Sequence, residues 1–186
     1  MDDIRKLIWG LGIALVVLGA AVAAWTWQQD DTKYSWYQNP KEGFAMQYPG
    51  GWVVNEWPQA GVLVAIIAPR ESSLDKISRN WNVSATRLVE PLTLEQYRDA
   101  ADKFMKFTFP KIETKGTTKI WIAGRIGWKL VYRDNSGGGI VFVTAVFIDK
   151  NDIAHNITYL TTNDQYNRPQ EQNMINKVLL SVKVSY

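Results

Sequence analysis

Apolar and polar residues alternate along Phe44-Ala45-Met46-Gln47-Tyr48, and the chain then meets Pro49-Gly50-Gly51 before resuming at Trp52-Val53-Val54. That pattern predicts strand, tight turn, strand. GVLVAIIAP (61–69) reads as a short strand closed by Pro69, and WNVSATRLV (81–89) as another with period-2 character. The polar stretch RESSLDKISRN (70–80) between them is expected to be a loop with a turn of helix. Thr93 and Gln96 stand at capping-box spacing, and Leu94, Tyr97, Ala101, Phe104 and Met105 share one helical face, so a helix should start at Thr93 and end by Pro110. From Ile112 to Thr162 four successive strands are predicted. Turn signals at Ala123-Gly124, at 135–139 and at Lys150-Asn151 separate them, which makes an antiparallel meander the simplest path. A last helix should open near Arg168-Pro169 and bury Met174, Ile175, Val178 and Leu179 before the terminal VKVSY.

The first 33 residues have a different pattern. Leu7 to Trp27 is 21 residues without a charge, and about 20 suffice to cross roughly 30 Å of hydrocarbon. Arg5 and Lys6 ahead of the run, with Ala21-Val22-Ala23 near its end, would also suit a cleaved signal peptide. Trp9 at one end and Trp25 and Trp27 at the other, where indoles favour the membrane boundary, support an uncleaved anchor. Both readings export the rest of the chain. The expectation is therefore a single-pass protein of the cell membrane with a cytoplasmic N-terminus and an extracytoplasmic C-terminal domain. Residues 1–33 form the anchor and a short linker, and 34–186 form one domain.

The chain has no cysteine, which excludes disulfides, thiolate nucleophiles and sulfur metal sites. Stability must come from packing, to which nine Trp, eight Tyr and six Phe contribute large buried areas. Beyond residue 33 there are 18 Lys and Arg against 14 Asp and Glu, a mildly basic balance too weak to imply nucleic acid. Catalytic signatures are sparse. His155, the one histidine, falls in IAHNITYLT on the strand face of Ile157 and Tyr159 and is expected at the sheet surface or rim. No Gly-x-Ser-x-Gly elbow offers it a nucleophile. The carboxylates lack calcium-loop spacing, so no metal and no cofactor are expected. The glycines of RDNSGGGIVF are followed by a strand rather than a helix, which suits a hairpin turn and not a phosphate loop. A non-enzyme is the expectation, with a hydrolase using carboxylates brought together by folding as the alternative.

YQNPKEGFAMQYPGGW (37–52), PLTLEQYRDAADKFMKF (91–107), IAGRIGWKLVY (122–132), HNITYLT (155–161) and the closing helix before SVKVSY occur in an order that resembles the PsbP family, which contains the extrinsic photosystem II subunit and many bacterial relatives. The resemblance covers roughly Tyr34 to Tyr186. It implies an α+β fold, an α-β-α sandwich built on an antiparallel sheet, and a non-catalytic accessory or binding subunit of a membrane or envelope complex. In a photosynthetic source, it would imply a photosystem II-associated subunit. In this reading Phe44, Tyr48 and Trp52 are fold-specifying aromatics and Pro49-Gly50-Gly51 makes a hairpin.

One feature stands above that background. Lys103, Lys106, Lys111, Lys115, Lys119, Arg125, Lys129 and Arg133 crowd a window in which Glu113 is the one acid. Along the later strand Ile126, Trp128, Leu130 and Tyr132 alternate with Arg125, Gly127, Lys129 and Arg133, which assigns an apolar and a basic face. With a three-residue loop Ile122-Ala123-Gly124, Trp121 would face Arg125 and Thr117 would face Lys129. Lys115, Lys119, Trp121, Arg125, Lys129 and Arg133 would then share one surface. A two-residue loop would split it. Such a surface suits anionic lipid headgroups, an acidic wall polymer or an acidic protein, and the competing reading is a solvated sheet edge protected by lysines.

Overall fold

The computed structural model describes residues 34–56, 62–70, 77–134 and 139–185. The apolar segment Leu7 to Trp27, residues 71–76 of the expected loop and 135–138 of the glycine turn lie outside the described residues. Among the described residues no helix is long and apolar enough to cross a membrane.

Strands β1 (Tyr34–Asn39), β2 (Phe44–Pro49), β3 (Val53–Asn55), β4 (Val62–Ile67) and β5 (Asn80–Arg87) lead into helix α1 (Leu94–Thr108). Then come the meander β6 (Ile112–Ile122), β7 (Arg125–Asp134), β8 (Ile140–Ile148) and β9 (Ile153–Thr162), a single turn of helix α2 (Asn163–Tyr166), helix α3 (Pro169–Leu180) and β10 (Lys183–Val184). The α1 start is capped as its sequence demands. The Thr93 hydroxyl accepts from the Gln96 N–H at 3.1 Å while the Gln96 side chain accepts from the Thr93 N–H at 2.8 Å, so two otherwise orphaned helix donors are satisfied. Pro169 opens α3, where its missing N–H costs nothing.

Seven strands form an antiparallel sheet in the order β3-β4-β5-β9-β8-β7-β6, and β1-β2-β10 form a second, smaller sheet. The large sheet is covered on both sides. On one face α1 places Tyr97, Ala101 and Met105 over Leu130, Tyr132, Phe142 and Leu160. The other face carries Trp81, Val143, Phe147 and Tyr159 and packs against α3 and the small sheet through Ile175, Val178, Phe44 and Met46. Trp81 and Tyr159, both fully buried, lie with ring centroids 4.5 Å apart. Burying each such side chain stabilises the fold by about 2 kcal/mol before packing geometry is counted. Double coverage explains β8, where every residue from Val141 to Phe147 is buried and no alternation survives.

One expectation changes at the first turn. Pro49-Gly50-Gly51 does not close a hairpin, because β2 belongs to the small sheet and β3 to the edge of the large one. The turn instead carries the chain from one layer to the other, with the Trp52 N–H on the Pro49 carbonyl at 3.3 Å, and delivers Trp52 onto Tyr159 between the layers. The last residues are also a strand, β10, which pairs with the start of β2. Gly43 makes that pairing possible. Its φ is +58°, and a Cβ there would lie 2.1 Å from the Ser185 carbonyl oxygen, so no side chain fits.

Candidate functional site

Three groupings carry the chemistry-bearing residues. At the β8–β9 turn, the Asp149 carboxylate accepts from the backbone N–H groups of Asn151 (2.8 Å) and Ile153 (3.1 Å) through Oδ1 and meets His155 Nε2 at 3.0 Å through Oδ2. Both side chains are buried. The sole histidine is therefore interior, not at the sheet surface or rim, because its face of β9 is roofed by the small sheet. Phe147 stacks on the ring at 4.6 Å and 7°, and Phe44 at 6.1 Å. Burial pulls the imidazole pKa below its ordinary value despite the carboxylate, and the positive charge of Arg125 works in the same direction. Burial alone would raise the Asp149 pKa, but the hydrogen bonds from His155, Ile153 and Asn151 outweigh it and hold the carboxyl below the usual range. A neutral ring thus donates from Nε2 to Asp149, and Nδ1 is left buried without a partner.

A second polar cluster ties α3 to the large sheet. Glu171, in the first turn of α3, accepts from the Tyr159 hydroxyl and from Thr161 Oγ1 (3.1 Å) through Oε1, and pairs with Arg79 Nη1 at 3.1 Å through Oε2. The Arg79 guanidinium also lies 5.5 Å from the centroid of Trp52. Burial raises the Tyr159 hydroxyl pKa far above its normal range, and the neighbouring carboxylate adds to the effect, so the phenol stays protonated as the donor. Sequence reading missed this cluster. Its members come from the residue preceding β5, from β9 and from α3, and the one local hint was an acid in the first turn of a helix.

The third grouping is the β6–β7 hairpin, where the register departs from expectation. Its loop has two residues, with Ala123 at φ 51° and Gly124 at φ 73°, the pair of left-handed residues that a type I′ turn requires. Ile122 therefore faces Arg125, Trp121 faces Ile126, Lys119 faces Trp128 and Thr118 faces Lys129. A shift of one residue moves a whole strand's side chains to the other face. The common basic surface does not form. Arg125, Lys129 and Arg133 point to the side of the small sheet, whereas Lys119 and Trp121 lie on the α1 side. Arg125 Nη1 donates to the Ile148 carbonyl at 3.0 Å, and Arg133 Nη2 reaches Asn167 Oδ1 at 3.2 Å with its guanidinium 5.7 Å from the Tyr166 ring centroid. Lys115 sits at the register shift between Thr114 and Gly116 and pairs with Glu113.

What the register does assemble, on the α1 side, is an apolar pair. Trp121 and Ile126 are direct cross-strand neighbours and are 63% and 52% exposed. Behind them the Trp128 ring carries the Lys119 ammonium at 5.3 Å and the Arg98 guanidinium at 4.7 Å from its centroid, distances at which a cation is attracted to an indole face.

No protein-family model and no curated protein matches the sequence. Among solved structures, the solution structure of cyanobacterial PsbP (CyanoP) from Synechocystis sp. PCC 6803 superposes with a TM-score of 0.63 at 17% identity, covering 89% of this chain and 100% of that one. This is a PsbP-like fold. LpqN, involved in cell envelope biogenesis of Mycobacterium tuberculosis, is similar to the PsbP-like domain at a TM-score of 0.59 and 11% identity over 77% of this chain and 83% of its own. PA94 from Pseudomonas aeruginosa, a protein of unknown function described as a putative regulator, gives 0.54 at 12% identity over 80% and 94%. Likeness at these identities concerns the fold and leaves the site to be argued from its own residues.

Proposed function

We propose that this chain is a non-catalytic accessory module, held at the cell membrane by Leu7 to Trp27, whose PsbP-like domain works outside the cytoplasm as a binding subunit of a membrane or envelope complex. The observation that carries the reading is how the two buried carboxylates are used. Both oxygens of Asp149 and both of Glu171 accept from the domain's own donors. A general base or nucleophile must have an oxygen free to reach its substrate, so a hydrolase built on either group would first have to break the fold's own bonds. The exposed aromatic and basic side chains are instead suited to contact. The fold likeness to CyanoP and to LpqN, itself described as involved in cell envelope biogenesis, supports an envelope setting.

Affinity capture tests the reading, with the full chain retrieved from detergent-solubilised membranes of the source organism and the N-terminus sequenced on the same material. The expected result is an unprocessed chain in the membrane fraction with a stoichiometric partner. A mature chain beginning at Ala24 in the soluble fraction would overturn the anchor. Failure to retain any partner under mild detergent would overturn the accessory role.

A further inference from the structure

We propose that the outer face of the small sheet, with the adjoining end of α3, is a membrane-contact face, which seats Trp36 and Leu180 in the interfacial zone of an anionic bilayer while Lys177 and Lys183 engage the headgroups. The inference rests on the anchored reading above and names the side of the domain that such a chain would lay on its own membrane.

The register of the small sheet fixes which side chains point outward. Tyr37 pairs with Met46 and Asn39 with Phe44, and the buried Tyr37, Phe44 and Met46 belong to the core between the layers. Side chains alternate along a strand, so Trp36, and Tyr34 two residues before it, lie on the outer face. Lys183 joins them there, because its partner Ala45 stands two residues from Gln47, the partner of Trp36. The ring contacts agree with this placement. The Lys183 ammonium lies 4.6 Å from the Trp36 ring centroid, across β2, and the Lys177 ammonium 3.6 Å from that of Tyr34. Lys177 and Leu180 are neighbours three apart on α3, both exposed, on the side turned away from the buried Ile175 and Val178. Trp36 is 40% and Leu180 69% exposed.

Three observations name the occupant. First, the chain enters the domain on this layer. Tyr34 is the first residue of β1, and the six residues Gln28 to Lys33 that separate it from Trp27 span at most about 20 Å. A bilayer holding Leu7 to Trp27 is therefore within reach of Trp36, two residues further on, whereas the large sheet stands between it and the α1 side. Second, the chemistry is that of the bilayer boundary. An indole has an apolar body and one N–H donor and prefers the headgroup level to either water or hydrocarbon, and a lysine lays its stem on apolar surface while its ammonium reaches outward. Third, the charge is complementary. Lys177 and Lys183 lie over rings, and among the described residues neither is paired with a carboxylate. Glu171, the one acid of α3, is buried and taken by Arg79, and Glu42 in the β1–β2 turn stands beside Lys41. Asp30 and Asp31 lie outside the described residues. Basic residues near an anionic leaflet each contribute a factor of about five in binding. An acidic protein would answer to the same lysines, but the bilayer is the partner that the chain itself holds at high effective concentration beside this face.

The absence of cysteine makes the test direct. The full chain carrying Leu180→Cys is labelled with an environment-sensitive fluorophore and reconstituted through its N-terminal segment into vesicles of phosphatidylcholine alone, or with a third of phosphatidylglycerol. The same label on Ile126→Cys, exposed on the α1 side, reports non-specific adsorption. Expected is a blue-shifted, brighter label at position 180 in the anionic vesicles, reversed by high salt, with no change at position 126. Lys177→Gln and Lys183→Gln should each lower the ratio of inserted to free label about fivefold, and Trp36→Ser should lower it further. A label at 180 that stays in water in anionic vesicles, or that responds no more than the one at 126, overturns the bilayer as the occupant and leaves an acidic protein as the ligand of this face. An equal response in neutral and anionic vesicles overturns the engagement of headgroups by the two lysines. Flotation of the same samples separates this inference from the reading beneath it. A chain that fails to float with any vesicle refutes the anchor and the contact face with it, and one that floats with an unresponsive label refutes the contact face alone.

Discussion

Asp149 holds His155 by a 3.0 Å hydrogen bond inside the PsbP-like domain, with the imidazole stacked on Phe147 and the carboxylate fixed by two backbone N–H groups of its own turn. Because the native histidine pKa is lowered, the unfolded chain takes up a proton at a pH where the native chain does not. Stability is therefore complete above the unfolded histidine pKa of about 6.5 and falls as the pH drops below it. The lowered Asp149 pKa acts in the same direction, but only below about pH 4, where the unfolded carboxyl would be protonated. His155 is the sole histidine, so thermal unfolding between pH 7 and pH 5 should show one proton's dependence, up to about 1.4 kcal/mol per pH unit. His155→Phe should flatten that slope while lowering stability at pH 7 by about 1 to 3 kcal/mol through the donor lost to Asp149. An unchanged slope in the variant would refute the assignment.

The Glu171 cluster predicts a larger loss. Replacing Glu171 with Leu removes the acceptor for Tyr159, Thr161 and Arg79 at once and leaves a partly buried guanidinium group short of its carboxylate. Breaking a buried pair from one side costs about 3 to 5 kcal/mol, and chemical denaturation should show it as a lower midpoint with the m-value retained. A loss below about 1 kcal/mol would mean that the cluster does not secure α3.

Two turn positions should respond in opposite directions. Gly43→Ala forces a Cβ against the Ser185 carbonyl at a positive φ and should cost about 2 to 4 kcal/mol, with weakened hydrogen-exchange protection in β10. Ala123 holds φ 51° with a Cβ already present, and Ala123→Gly should raise stability by up to about 1 kcal/mol. Equal signs for the two changes would contradict the turn geometry.

Residues 34–186 should fold without the preceding segment, because both cores are built within them. A chain lacking the first 33 residues is expected to unfold in one cooperative thermal transition, and a broad, probe-dependent melt would count against it.

The order of elements was legible in the sequence, since capping at Thr93 and Gln96, the helical stripe of Tyr97, Ala101 and Met105, Pro169 at a helix start and the four-strand meander are local patterns that survive folding. Local pattern also showed that Trp128, Leu130 and Tyr132 share a face of β7. It could not show which partners face them. That depended on whether the hairpin loop holds two residues or three, a choice made by Ala123 entering the left-handed region beside Gly124, and one residue of register moved Lys119 and Trp121 away from Arg125 and Lys129. Burial of His155 was hidden for a related reason. Period-2 alternation reveals an outer face only when one side of a sheet meets water, and here α1 covers one side while α3 and the small sheet cover the other. The Glu171 cluster joins residues more than ninety positions apart, and only the stacking of β5, β9 and α3 brings Arg79, Tyr159 and Glu171 within hydrogen-bonding distance.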